Sequence, residues 1–327
     1  MKKDSRYKKF LVFTNDAGDC AHICSIILKE HNFFSWSVYA VKGSPASKLL
    51  KKNKISHTNF FLLNDIKGII KKEIPDFILY GTGSEQISFS EIIKENASKY
   101  NIQSIAVIDH WSNYKERFPK NTFPDAILTF DYNAHQLAKK LLNKSNIFQI
   151  KNYYLENLHQ EFINQKYFDK KYVTFISEPL KKKSASPSSY EYQLVDNILQ
   201  KFNEVIIRLH PSEKKDKYDQ LISNHKGKNI VKIDPYEESL SLTLSKSRLT
   251  IGINSYALYI SYVFGIQTIS CIPNLQKKKA IHIPNKYVLR NLDNIDKVNF
   301  DDDRNFMLNR NSLSFKSFIE QKMKCIH

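Results

Sequence analysis

Short apolar runs recur along the chain, each stopping at a cluster of polar residues and most followed by a helical pattern. Residues 10–14 form the first run, Asn15-Asp16-Ala17-Gly18-Asp19 the turn after it, and residues 21–30 have the spacing of an amphipathic helix. Residues 36–41, 57–61, 76–80, 104–108, 126–130 and 146–150 read as further strands. Helices open at Gly43-Ser-Pro-Ala-Ser47 and cover residues 91–100 and 133–142. Apolar, β-branched and aromatic residues over so short a span are what strands buried on both faces need. Their alternation with helices predicts a parallel, doubly wound sheet.

A polar linker is expected around residues 156–169, and the alternation then begins again. Residues 172–176, 205–209, 230–233, 249–253 and 267–272 read as strands, with helices at 190–201, 217–224, 239–245 and 256–264. Gly265 stands where a helix C-terminus favours glycine. The expected architecture is α/β, with two Rossmann-like domains facing a cleft: residues 1–160, residues 170–311, and a terminal helix at 312–327 packing back on the first domain.

The ends of these strands carry the candidate chemistry, because ligands of open α/β sheets bind at that edge. The run ending at Leu209 meets His210-Pro211; proline cannot continue a ladder and keeps the residue before it extended. An imidazole thus stands at a strand end, with Ser212 behind it. Ser177, Glu178, Tyr236, Asn254 and Ser255 end other strands of the second half. Asn254 and Ser255 read either as phosphate ligands at a helix N-terminus or as a plain helix cap. In the first half, Asp16 and Gly18 follow the first strand and Thr82 and Ser84 the fourth. Asp109-His110-Trp111, Tyr114 and Arg117 crowd one loop after the fifth, a mixture suited to binding a ligand. Asp16 and Asp109 are alternative general bases, with Glu85 and His110 next; Asp19 reads as a turn or cap residue.

Composition narrows the partners. The 327 residues carry 42% hydrophobic side chains, enough for a full core, and a net charge of +17. Only seven residues are arginine, and the lysines are spread along the chain. That pattern describes a solvated surface rather than a nucleic-acid site, with attraction to an anionic membrane face as the secondary expectation. The basic start MKKDSRYKKFLVF has an apolar run only a strand long, so a cytoplasmic location is expected, at most touching the inner membrane face. Four cysteines give no disulfide framework, and Cys20-Ala-His-Ile-Cys24 reads as buried helix residues rather than a metal site.

Two Rossmann-like halves, His210-Pro211, and the segment Gly252-Ile-Asn-Ser-Tyr-Ala-Leu258 followed by Gly265 resemble the GT-B glycosyltransferases of bacterial surface-polysaccharide assembly. Within that group the likeness is to sialyl-, polysialyl- and Kdo-type transferases that carry a His-Pro motif. The resemblance implies that His210, Pro211, Ser212 and Ser255 hold the donor phosphate, and that an acidic residue of the first half is the base. Asn15-Asp16-Ala17-Gly18 departs from the family's acidic pair before glycine. It further implies an inverting transfer with no metal and no cofactor, from a phosphate-activated sugar donor (a nucleotide sugar or phosphoribosyl pyrophosphate) to a glycan or lipid-linked glycan acceptor. A sugar-nucleotide epimerase or hydrolase, or a non-catalytic binding protein, are the competing readings on such a scaffold.

Overall fold

Phe10, Leu11, Val12 and Phe13 have no exposed surface, and they form the centre of the first of two parallel sheets. The structure, a computed structural model, describes residues 7–62, 64–82, 89–144, 146–165, 169–178, 187–225, 230–234, 238–272, 281–300 and 312–323. It divides into two compact units, Met1–Tyr154 with Asn309–His327, and Leu155–Leu308.

The first unit runs β1 (Lys8–Thr14), α1 (Ala17–Glu30), β2 (Phe34–Val41), α2 (Pro45–Lys52), β3 (Thr58–Phe60), α3 (Asp65–Glu73), β4 (Phe77–Gly81), α4 (Ser90–Tyr100), β5 (Gln103–Val107), β6 (Ala126–Thr129), α5 (Tyr132–Leu142) and β7 (Ile147–Gln149). Its strands lie in the order β3-β2-β1-β4-β5-β6-β7, and every pair is parallel. The chain therefore winds outward from β1 in one direction, returns, and winds outward from β4 in the other. The gap between the carboxyl ends of β1 and β4 is a topological switch point.

Local chemistry sets the helix ends. Ser44 accepts from the Ser47 amide with Pro45 at the first helical position, and Asp131 accepts from the Ala134 amide at 2.7 Å. Asn101 and Asn143 close α4 and α5 in the left-handed region, which asparagine tolerates better than most residues.

The expected linker at 156–169 is instead largely helical. Tyr153–Asn164 forms α6, with Leu155 and Leu158 buried. Leu155, Leu158 and Phe162 recur at helical spacing, while the polar residues between them hide the pattern. The carbonyl of Leu158 accepts from the buried Ser241 hydroxyl at 2.7 Å.

The second unit repeats the plan: β8 (Tyr172–Ile176), α7 (Pro187–Lys201), β9 (Glu204–Arg208), α8 (Asp219–Ser223), β10 (Ile230–Asp234), α9 (Leu240–Ser245), β11 (Ser247–Gly252), α10 (Tyr256–Val263), β12 (Gln267–Cys271) and β13 (Val288–Leu289). The parallel order β10-β9-β8-β11-β12-β13 puts its switch point between β8 and β11. Gly265 follows α10 with φ of 78°.

The last helix, α11 (Phe315–Gln321), belongs to the first unit. Phe315 packs among Phe10, Phe34 and Trp36, with ring centroids 5.4, 5.8 and 6.0 Å away. The Glu30 carboxylate accepts from the Tyr153 hydroxyl at 2.7 Å and from the Lys316 amide at 3.3 Å, anchoring the helix start. Cys20 and Cys24 are both buried free thiols in this core. Among the described residues, no helix is long and apolar enough to cross a membrane, and no cluster of His, Cys, Asp or Glu is arranged to hold a metal ion.

Candidate functional site

At the first switch point, three carboxylates gather around the start of α1. Asp16 is the N-cap position, yet its side chain accepts no capping hydrogen bond. Asp19, expected as a turn or cap residue, lies inside the first helical turn, buried, and accepts from the Thr14 hydroxyl at 2.8 Å. A Cβ on Gly81 would stand 2.0 Å from an Asp19 oxygen, and one on Gly18 would stand 2.0 Å from an Asp109 oxygen. Both glycines are therefore required for the carboxylates to approach the backbone this closely. A helix N-terminus is the favourable place for such a concentration of negative charge.

The two candidate bases differ in their neighbours. The Arg117 guanidinium donates to Asp109 at 2.8 Å and to the Thr82 hydroxyl at 2.6 Å, while its Nε donates to the Ser112 carbonyl at 3.2 Å. Burial pushes the Asp109 carboxyl up, but the Arg117 charge, the neighbouring His110 and His22 rings and the Arg117 hydrogen bond together more than offset it, leaving Asp109 below its ordinary range. Burial raises Asp16 to about 6, Asp109 adds to the rise, and Arg117 opposes it. Two carboxyls in one site are thus driven apart in acidity, and the one near neutral is the better suited to accept a proton.

The rest of the 109–117 loop is partly scaffold. Trp111 is buried and donates to Asp131 at 3.1 Å, and Tyr114 is buried and donates to the Ala134 carbonyl at 3.3 Å. Both side chains pin the loop to the start of α5. His110 is half-buried, with its Nδ1 3.0 Å from the Ser112 hydroxyl. Ser84 and Tyr236 lie outside the described residues, as does Glu85.

One strand away from the second switch point, at the carboxyl end of β9, His210 has its ring nitrogen Nδ1 accepting from the Ser212 amide at 3.2 Å and lying 2.8 Å from the Ser212 hydroxyl. That bond assigns the proton to Nε2, which is left as the ring's donor. Burial lowers the His210 pKa, so the ring is neutral at pH 7 and acts as a directional donor, not a cation.

Beneath it lies a network that the sequence conceals. The Lys217 ammonium bonds Glu191 at 2.7 Å, Glu213, the Ser177 hydroxyl at 3.2 Å and the Glu178 carbonyl at 3.4 Å. Glu213 accepts from the His210 amide at 2.8 Å through its other oxygen. Ser177 is buried and shared between Glu191 and the Tyr218 hydroxyl. One ammonium thus ties together the chain after β8, the chain after β9, and α7. Lys217 sits in the lysine-rich run Lys214-Lys-Asp-Lys217, and nothing in that pattern distinguishes it from solvated neighbours.

Ser255 caps α10 by accepting from the Ala257 amide at 3.2 Å, and the Asn254 side chain accepts from the Ile281 amide at 3.1 Å. The Asn254 amide itself donates to the Glu178 carboxylate. The helix N-terminus is thus capped by an internal anion. Burial raises Glu178 to about 7, the Asn254 and Ser255 amides hold it down, and Glu191 and Glu213 add to the rise. A phosphate bound to these amides would have to displace that carboxylate. Phosphate-containing ligands should therefore bind the Glu178→Gln variant up to about tenfold more tightly at pH 8, with the gap closing as the pH falls through 7; a titration by calorimetry at the two pH values measures it. Equal affinities at pH 8 would show that the carboxylate does not compete.

Residues 112–273 match the family model described as alpha-2,8-polysialyltransferase (POLYST). No curated protein matches the chain. Among solved structures, the UDP-N-acetylglucosamine 2-epimerase from Rickettsia bellii is similar with a TM-score of 0.62 at 12% identity, over 90% of this chain and 89% of that one. The UDP-GlcNAc 2-epimerase from Neisseria meningitidis, bound to UDP-GlcNAc, gives 0.61 at 11% identity over 82% and 84%. Anabaena Alr3699/HepE in complex with UDP and glucose gives 0.58 at 13% over 87% and 88%. At such identities the likeness is one of fold: two Rossmann-like domains of the GT-B kind, with a sequence likeness to polysialyltransferases across the stretch that contains Arg117, His210 and Ser255.

Proposed function

We propose that the protein is a glycosyltransferase that moves a sugar from a phosphate-activated donor to a glycan acceptor, with inversion and without a metal ion. The polysialyltransferase likeness of residues 112–273 carries this reading, because that segment includes the His210 strand end and the α10 N-terminus. The fold relatives solved with UDP or UDP-GlcNAc support a nucleotide-linked sugar as the donor.

In this mechanism the second unit receives the donor phosphate. His210 donates through Nε2, and the amides before α10 take up charge as the sugar–phosphate bond breaks; stabilising that leaving group is the larger contribution to rate. Ser212, backed by Pro211, holds the ring. The first unit receives the acceptor hydroxyl, whose proton passes to Asp16. Asp109, held by Arg117, orients the acceptor, with His110 and the glycine edge at Gly18 completing its surface. Thr82, expected as an acceptor contact, is buried and donates to the Val107 carbonyl at 3.1 Å, so its part is to hold Arg117. Tyr236 and Ser84 remain proposed donor and acceptor contacts respectively.

Loss of the His210 donor should lower kcat/KM about 10- to 100-fold in His210→Ala, about 1.4–2.7 kcal/mol of barrier. Because His210 lies at a strand end, the thermal midpoint should move little. Activity within about threefold of wild type, under 1 kcal/mol, would exclude it from the phosphate site.

The fold likeness to UDP-GlcNAc 2-epimerases favours a second reading, epimerisation or hydrolysis of a nucleotide sugar. A panel of nucleotide sugars, screened first by thermal shift, separates the two. Nucleotide release only when a glycan acceptor is present supports transfer. Release without acceptor, or an epimerised donor, supports the second reading.

A further inference from the structure

Tyr132 is 60% exposed and opens α5, the helix that follows β6 at the carboxyl edge of the first sheet. Side chains of a helix lean toward its N-terminus. From the first helical position the ring therefore projects past the end of α5, on the edge where ligands of such sheets bind. The buried face of α5 is built from Ala134, Ala138 and Leu142, and Tyr132 lies outside it.

Hydrogen bonds fix the backbone beneath the ring. Asp131 accepts from the Ala134 amide at 2.7 Å and from the Trp111 indole at 3.1 Å. The Tyr114 hydroxyl donates to the Ala134 carbonyl at 3.3 Å. The loop that carries Asp109 and His110 is thereby tied to the chain on both sides of Tyr132. An aromatic ring left in water is thus held in a set position relative to the candidate site, without any packing of its own to explain it.

Its exposed neighbours on α5 are carboxamides. Asn133 is the next residue, and Gln136 lies one turn along on the same side of the helix. An amide offers both donors and an acceptor, which suits the hydroxyls of a sugar, while a tyrosine ring offers a flat apolar face to the C–H side of a pyranose. The ring is not where transfer would occur. Asp16 follows β1, and β4 and β5 stand between β1 and β6. Those three strand spacings put Tyr132 at least about 14 Å from the Asp16 strand end, farther than one sugar ring spans.

We propose that Tyr132 is a platform for the acceptor glycan: its ring stacks on a sugar unit further along the chain than the one that reacts, and Asn133 and Gln136 bind that unit's hydroxyls. The acceptor is then an oligosaccharide and not a single sugar. This rests on the glycosyltransferase reading above. A second exposed aromatic at this edge, Phe61, follows β3 and has the Lys42 ammonium 4.5 Å from its ring centroid. One face of that ring is already covered, which makes Phe61 the internal control.

The test is glycan binding by the full chain with no donor present, so that it stands apart from transfer. Wild type is applied to an array of immobilised oligosaccharides that includes neutral maltooligosaccharides and acidic α-2,8-linked sialic acid oligomers. The glycan retained is then titrated by calorimetry as a series of increasing length. Affinity should rise at least about tenfold from the monosaccharide to the longest member. Tyr132→Ala should lose that rise and keep the monosaccharide affinity, whereas Tyr132→Phe, which keeps the ring, should retain it. Phe61→Ala should follow the wild-type curve, and UMP should bind wild type and Tyr132→Ala equally. The proposal is overturned by no glycan retained, by affinity independent of length, or by a Tyr132→Ala variant that keeps the rise. An equal loss in Phe61→Ala, or weaker UMP binding by Tyr132→Ala, would overturn it as well, the last by giving the ring to a nucleobase. Length-dependent binding through Tyr132 without transfer to any acceptor would sink the proposed activity and leave the platform standing. Transfer with equal kcat/KM to a monosaccharide and to longer chains would do the reverse.

Discussion

Asp16→Asn should lower kcat by about 10³-fold at saturating substrates, the middle of the range for a general base. In the wild type, kcat/KM should rise with pH through about 6, where Asp16 loses its proton, and this acid limb should vanish from the residual activity of the variant. The stability consequence has the opposite direction from the usual carboxylate. The folded pKa of Asp16 is raised from 3.8 to about 6, so its contribution is fully present below about 4 and is lost as the pH rises through 6. At pH 7 the Asn variant should therefore melt no lower than wild type, which separates a catalytic loss from unfolding. Asp109→Asn removes the partner of a buried guanidinium and should raise KM while preserving most of kcat. An inactive Asp109→Asn beside an active Asp16→Asn would exchange the two roles, and two active variants would move the base to another residue.

Lys217→Met should destabilise the second unit by about 3–5 kcal/mol, the cost of leaving buried charges without their partner. Glu191 and Glu213 are 1% and 5% exposed, and Lys217 itself is 17% exposed. Removing the ammonium leaves two buried carboxylates facing each other, and a third, Glu178, close by. The thermal midpoint should fall by about 10 °C. Adding Glu191→Gln and Glu213→Gln should restore much of the loss, because amides need no counter-charge. If Lys217→Met melts within about 2 °C of wild type, the network is more hydrated than its burial implies. Lys217→Arg is not a neutral control, since a planar fork cannot make the same four contacts.

Much of the architecture is legible along the chain because it is written in local patterns. Val173, Phe175, Val205, Ile207 and Ile251 are wholly buried and stand in short runs that stop at polar residues, which is how a doubly buried strand looks from its residues alone. The strand ends that carry Asp16, Asp109, His210 and Asn254 follow directly from where those runs stop. The helix α6 passes for a linker because only every third or fourth residue is apolar there. The two-residue strand β13 is too short to carry any pattern, and ladder pairing with β12 alone defines it.

What the chain by itself determined is the kind of sheet, the position of each strand, and the set of polar groups at the carboxyl edges. Which of those groups meet is set by the folded arrangement of the strands. The order β3-β2-β1-β4 brings the ends of β1 and β4 together across a long separation in sequence, and so puts Asp19 against Gly81 and Asp109 against Gly18. The same packing gives Asp109 an arginine and leaves Asp16 the weaker acid of the two, and it sets Glu178 on amides that could otherwise hold a phosphate. The physical reason is one of range. Strand and helix formation depend on neighbours a few residues away, whereas a carboxyl's charge and a buried lysine's partners depend on burial and on groups that only the closed fold brings within a few ångströms.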